Sequence, residues 1–180
     1  MRVIGGTLRG RKLASFDCEK IRPTADKARE SLFNILRDKV GGGSFLDLFG
    51  GTGAVGIEAY SRGATKVVIV EAYRDCLKIA QKNLDIIGKP AEIELKNYDA
   101  LTFLKATDKP FDIIFLDPPY KSEILPLALK KIAEGNALVD GGVVVAETET
   151  PYSGETFSLN ITDERKYGRT RFTFFKKEEK

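Results

Sequence analysis

Between Ser44 and Glu147 five short apolar runs alternate with longer amphipathic stretches, and this rhythm narrows the chain to one class of fold. Residues 45–49, 66–70, 91–95, 111–116 and 142–147 read as strands. Residues 53–62, 73–87, 99–105 and 124–133 read as helices, the second with an apolar stripe of Cys76, Ile79, Ala80 and Leu84. Runs apolar at every position are those of parallel strands buried on both faces. Strands separated by helices imply right-handed crossovers, hence an α/β fold of Rossmann-like type with a mostly parallel sheet. Two closing β segments, residues 155–165 and 170–176, have no helix between them and predict an antiparallel edge.

At 180 residues and 42% hydrophobic, the chain suits one well-packed domain. No apolar run reaches 18 residues and no charged leader precedes an apolar segment, so a soluble, cytoplasmic protein is expected, and a monomer. Histidine is absent, and Cys18 and Cys76 stand alone. Zinc sites, imidazole-activated nucleophiles and disulfide frameworks lose their support, and no metal is expected.

The charge is segregated. Residues 1–40 carry 10 Lys and Arg against 5 Asp and Glu, residues 41–163 carry 12 against 18, and residues 164–180 carry 7 against 3. Two basic ends around an acidic middle suit a polyanion held by the termini. Residues 1–6 and 10–13 flank a glycine-containing turn and read as a basic hairpin carrying Arg2, Arg9, Arg11 and Lys12. Arg22-Pro23-Thr24 leads into a helix with Thr24 as N-cap and Asp26 in its first turn, running to Val40 along Ala28, Leu32, Leu36 and Val40. Gly41-Gly42-Gly43 ends it. Tyr167-Gly168-Arg169 reads as the turn between the last two strands, with Arg165, Lys166, Arg169 and Arg171 as further phosphate contacts.

Two strand ends carry the chemistry. Asp117-Pro118-Pro119-Tyr120 follows the fourth strand, and its prolines force the chain out of the sheet at the end where open α/β sheets bind ligands. A carboxylate, a rigid carbonyl and an aromatic face together suit a flat base with an exocyclic amine. After the first strand, Gly51-Thr52-Gly53-Ala54-Val55-Gly56 spells the dinucleotide fingerprint, and Glu71 follows 20 residues after Gly51. An NAD-dependent oxidoreductase is therefore one reading. Asp47, four residues before Gly51, favours a cationic ligand over a diphosphate, and S-adenosylmethionine is such a ligand. Asp47 and the loop of Gly50, Gly51 and Gly53 would then hold its methionine end, and Glu71 its ribose. Asp99 and Ala100 would lie at its adenine, although Asp99 equally suits a helix N-cap.

With these residues the chain resembles the class I S-adenosylmethionine methyltransferases, and more closely the RsmD-type enzymes of bacterial 16S rRNA, which methylate N2 of guanine 966. The resemblance rests on Arg2-Val3-Ile4-Gly5-Gly6, Gly10-Arg11-Lys12-Leu13, Arg22-Pro23-Thr24 with Arg29-Glu30-Ser31-Leu32-Phe33-Asn34, Asp47 to Gly53, Gly56-Ile57-Glu58-Ala59 and Asp117-Pro118-Pro119-Tyr120. It implies a seven-stranded sheet with an antiparallel C-terminal hairpin, and S-adenosylmethionine as methyl donor, giving S-adenosylhomocysteine. It also implies that residues 1–43 extend the methyltransferase domain of residues 44–180, with the segment around Thr24 closing over the cofactor. Asp117, Pro118 and Tyr120 would be catalytic, and Arg2, Arg9, Arg11, Lys12, Arg22 and Arg169 would touch 16S rRNA, in an assembling small subunit. Phe49 departs from the glycine common at that position, and Gly50 is expected to take up part of its role. The Asp-Pro-Pro-Tyr motif is shared with DNA adenine-N6 methyltransferases, which leaves another planar amine as the alternative target.

Overall fold

In the computed structural model residues 1–16, 23–119 and 123–177 are described, with backbone alone at residues 23–25. Arg22 and Tyr120 lie outside the described residues, as does the side chain of Thr24. Strands β1 (Ser44–Asp47), β2 (Lys66–Val70), β3 (Ile93–Lys96), β4 (Phe111–Leu116), β5 (Leu138–Thr148), β6 (Leu159–Tyr167) and β7 (Thr170–Lys177) form one sheet in the order β3-β2-β1-β4-β5-β7-β6. The first five are parallel, and β7 is antiparallel to both β5 and β6. The expected Rossmann-like sheet with its antiparallel hairpin edge is thus present. The strand order reverses between β1 and β4, the switch point where such sheets open a crevice.

Alternation along each strand sends its side chains to opposite faces. Phe45, Val67, Ile69, Ile113, Phe115 and Val145 pack with Leu32 and Phe33 of α1 (Pro23–Ile35) and Ile57 of α3 (Ala54–Ser61). Leu46, Val68, Val70, Ile114, Leu116 and Val144 pack with Leu104 of α5 (Ala100–Ala106) and with Leu125, Leu129 and Ile132 of α6 (Ile124–Glu134). Helix α4 (Arg74–Ile86) adds Leu84 to the first layer.

Several boundaries differ from the sequence expectation. The first helix begins at Pro23, which suits the first helical position, so Thr24 lies inside the helix and is not its N-cap. It also stops at Ile35: the chain bends at Leu36, the N-cap of α2 (Arg37–Val40), whose first turn is tightened by the Lys39 N–H bond to the Leu36 carbonyl three residues back. Strand β1 ends at Asp47 where the backbone turns into the glycine loop, and β3 starts two residues later than expected, at Ile93. Strand β5 starts earlier, at Leu138, because an irregularity lets Leu138 pair with Phe111 and Val143 with Ile113. The penultimate strand begins only at Leu159.

The N-terminal segment is a docked ribbon. Val3 N–H bonds to Arg11 O at 3.0 Å, Gly10 N–H to Val3 O at 2.9 Å and Leu13 N–H to Met1 O at 3.0 Å. A two-stranded ribbon is marginal alone, and this one is held by Glu58 of α3, whose side chain is wholly buried. Glu58 Oε2 accepts from Ile4 N and Oε1 from Gly5 N, both at 2.8 Å. Arg62 Nε donates to the same carboxylate at 2.8 Å, and Arg29 Nε lies 3.7 Å away. Ser61 continues the seam: its Oγ donates to Gly5 O at 2.6 Å and accepts from Leu8 N at 2.9 Å. Removing one partner of a buried ion pair strands the others, so Glu58→Ala should cost about 3 kcal/mol or more in urea unfolding. A loss below about 1 kcal/mol would mean that the ribbon docks by apolar contact alone.

Candidate active site

A cavity of about 340 Å³ opens at the carboxyl ends of the central strands. Phe49 and Gly51 line it after β1, Glu71 and Tyr73 after β2, Tyr98, Asp99 and Ala100 after β3, and Asp117, Pro118 and Pro119 after β4. The size is that of a small-molecule site. Of the residues expected at a cofactor, Gly51, Glu71, Asp99 and Ala100 meet here, together with Asp117 and Pro118.

Glu71 shapes the site. It is nearly buried, and its Oε2 accepts from Gly51 N at 2.7 Å while its Oε1 accepts from Tyr73 N at 2.7 Å. Each oxygen keeps a further lone pair for a ligand hydroxyl. Asn97 locks the neighbouring strand end by donating to Glu71 O at 2.9 Å and Ala72 O at 3.2 Å. Asp99 is the N-cap of α5: its Oδ1 accepts from Thr102 N at 2.9 Å and from Thr102 Oγ1 at 3.0 Å. The N-cap reading of Asp99 is therefore realised, and the residue lines the cavity as well.

Asp47, Gly50 and Gly53 lie beneath the cavity rather than on its wall. Asp47 is buried and its Oδ2 accepts from Gly56 N of α3 at 3.0 Å. Gly50 bonds to Val70 O at 2.9 Å, and a Cβ there would fall 2.3 Å from Ile69 Cγ2. Its close approach is thus to β2, and Phe49 faces the cavity instead. Gly53 precedes α3 with φ +78°, a conformation that glycine adopts without strain.

Three carboxyls converge on this end of the sheet. Burial first, and then the charges of Asp117 and Glu71, raise Asp47 to about 7 against the opposing Gly56 N–H bond. Burial raises Asp117 to about 6. Glu147, at the end of β5, rises to about 8 through burial first and then the Asp117 charge, while the Thr170 hydroxyl bonded to its Oε1 at 3.2 Å opposes this. The charge of one opposes ionisation of the other, so Asp117 and Glu147 titrate as a pair.

Sequence reasoning missed Glu147 and Asn83, and quoted Glu58 within the Gly56–Ala59 run without giving it a role. The signals were present: Glu147 ends an apolar strand as Glu71 does, and Glu58 sits inside the apolar helix α3. Asn83 falls on the buried face of α4 beside Ala80 and Leu84.

The basic residues divide. Arg9, Arg11 and Lys12 are exposed on the ribbon and Arg169 is exposed at the β6–β7 turn. Arg2 is exposed, with its Nε 3.6 Å from Asp26. Arg165 is paired with Asp163 at 2.9 Å and Arg171 with Glu164.

A family model described as Conserved hypothetical protein 95 matches residues 1–176. Ribosomal RNA small subunit methyltransferase D of Escherichia coli K12 is 32% identical over 180 residues, which cover 99% of this chain and 90% of that protein. The chain belongs to the RsmD-type methyltransferase family. The Haemophilus influenzae protein of the same name is 37% identical over 152 residues, 83% of this chain and 79% of that one. A solved Escherichia coli chain bearing a provisional methyltransferase name superposes with a TM-score of 0.87 at 30% identity, covering 100% of this chain and 99% of the other. The RsmD-type match takes in the ribbon as well as the sheet, and Glu58 and Ser61 of α3 bond the ribbon to the helix layer that covers the sheet.

The raised carboxyls set a pH dependence. A folded-state pKa above the unfolded value gives stability that is complete below the unfolded value and lost as pH rises through the folded one. Stability without ligand should therefore fall between pH 5 and 8. Glu147→Gln should flatten that fall, recovering about 1.4 kcal/mol or more at pH 8 relative to its offset at pH 5, which corresponds to one pKa unit. Parallel thermal melts of the two proteins across this range would expose an error in the assignment as identical slopes.

Proposed function

We propose that this RsmD-type chain transfers a methyl group from S-adenosylmethionine to the exocyclic N2 amine of a guanine in small-subunit 16S rRNA, the position-966 guanine by resemblance. The observation that carries the reading is that one cavity at the switch point is lined by Asp117 and Pro118 together with Glu71, Gly51 and Asp99. One group of residues suits an adenosine ligand and the other an amine on a flat base.

The donor set fits S-adenosylmethionine. Glu71 retains acceptor capacity for ribose hydroxyls, Asp99 and Ala100 border the adenine end, and Gly51 supplies backbone to the methionine end. Asp47, Gly50 and Gly53 act from below by fixing the loop, and Thr24 is assigned to the covering segment. Bound there, the cofactor supplies an electrophilic methyl group on a good leaving group. The Asp117 carboxylate and the Pro118 carbonyl accept the two N–H bonds of the guanine amine, which orients its lone pair; this is catalysis by positioning and electrostatics. Asp117 then takes up the proton that the methylated nitrogen sheds, for which its raised pKa suits it. Tyr120 is assigned to stack on a base drawn out of its surroundings.

Residues 1–43 form the target-binding extension of the methyltransferase domain. Arg2, Arg9, Arg11, Lys12, Arg22 and Arg169 contact phosphates of the RNA, which is presented in an assembling small subunit.

Labelled cofactor, undermethylated small subunits, free rRNA and DNA, followed by mapping of the modified base, test the reading directly. Label at a guanine N2 of small-subunit rRNA is the expected result, and label on DNA adenine would replace it with the alternative target. Asp117→Ala should lower the rate by about 10²-fold or more while cofactor affinity stays within a few-fold; near-normal turnover would remove Asp117 from the mechanism.

Ligand charge gives a second discrimination. A cation in the cavity that Asp117 lines favours the ionised forms of Asp117 and of the Asp47 and Glu147 carboxyls that feel its charge, so S-adenosylmethionine binding at pH 7 should release protons. An anionic diphosphate would do the opposite. Calorimetry in two buffers of different ionisation enthalpy reads the sign, and proton uptake would count against a cationic ligand.

A further inference from the structure

We infer that Asn83 is a positioning residue that joins the cofactor loop to the RNA-binding ribbon, so that a filled cofactor site strengthens binding of the RNA target. The inference rests on the reading of the preceding subsection. Asn83 lies on α4, outside the cavity, and is wholly buried. Its Oδ1 accepts from Ala14 N at 2.7 Å, and its Nδ2 donates to Ala14 O at 3.0 Å and to Thr52 O at 2.9 Å. Both amide hydrogens are thus spent on two segments 38 residues apart in the chain, counted from Ala14 to Thr52.

Thr52 stands between Gly51 and Gly53, both at positive φ, in a loop whose backbone has much freedom to lose. Glu71 holds that loop at Gly51 from the cavity side, and Asn83 holds it at Thr52 from the ribbon side. The Thr52 hydroxyl also reaches Met1 Sδ at 3.9 Å. Ala14, the other end of the bridge, is two residues past Lys12 and follows the ribbon's last backbone pair. A ligand that orders the loop therefore leaves the ribbon with less freedom to lose when RNA binds, and the coupling is reciprocal. The ribbon's other anchors, Glu58 and Ser61, make none of these bonds to residues 50–53. They hold the ribbon without reporting on the loop, which makes the two roles separable.

Hydrogen exchange of the unaltered protein, with and without S-adenosylhomocysteine, tests the bridge. Slower exchange is expected in residues 1–14 as well as in residues 50–53, and protection confined to the cavity segments would overturn the inference. Affinity for undermethylated small subunits then measures the coupling. Saturating S-adenosylhomocysteine should tighten binding about fivefold or more in the unaltered protein. The ratio should fall to near one in Asn83→Ala and persist in Ser61→Ala, which loosens the ribbon only at Gly5 and Leu8. A ratio of one in the unaltered protein, with both ligands bound, overturns the coupling alone, as does an unchanged ratio in Asn83→Ala. Failure of S-adenosylhomocysteine to bind overturns the methyltransferase reading and the inference with it.

Discussion

A parallel sheet covered by helices on both faces leaves only its strand ends open to polar chemistry, and this constraint organises the molecule. At the carboxyl edge each of the five parallel strands finishes at a polar side chain: Asp47 closes β1, Glu71 and Asn97 follow β2 and β3, Asp117 follows β4, and Glu147 lies near the end of β5. The side chains of β1, β2 and β4 before those positions are mostly apolar and buried. The strand order reverses between β1 and β4, so no crossover helix covers that gap and the cavity forms there. The residues assigned to the methyl donor and those assigned to the target amine thereby line one cavity.

Enclosing so many carboxyls in one place is costly, and the site uses backbone N–H groups to contain the cost. Gly51 and Tyr73 donate to Glu71, Gly56 to Asp47 and Thr102 to Asp99. Asp117 and Glu147 are the two whose shared titration is expected to respond to ligand. The acids that hold the loops are therefore distinct from the acid assigned to the reacting amine.

The same logic explains how the N-terminal ribbon is held against the helices that cover the sheet. Glu58 and Asn83 turn polar side chains inward from α3 and α4, toward backbone that a free ribbon would expose to water. The two helices thus carry a buried polar seam on the side where their sequence periodicity suggests only apolar packing. Such a seam fixes the ribbon at one register, because each bond is made to a particular N–H or carbonyl.

Strand and helix order, the antiparallel edge, the glycine loop and the acids at the ends of β1, β2 and β4 were legible in the chain, since each depends on residues near one another in sequence. Periodicity of two or of 3.6 residues, and prolines that cannot continue a strand, act locally. Only the tertiary structure decided that Asp47 faces α3 rather than the cavity, that Gly50 is small for Ile69, and that Arg165 and Arg171 are paired. It alone set Glu147 against Asp117 and joined Ala14 to Thr52 through Asn83. These facts depend on which strand lies beside which and on which helix face meets the ribbon. Both are fixed by burial of the whole sheet, and no stretch of sequence carries that information by itself.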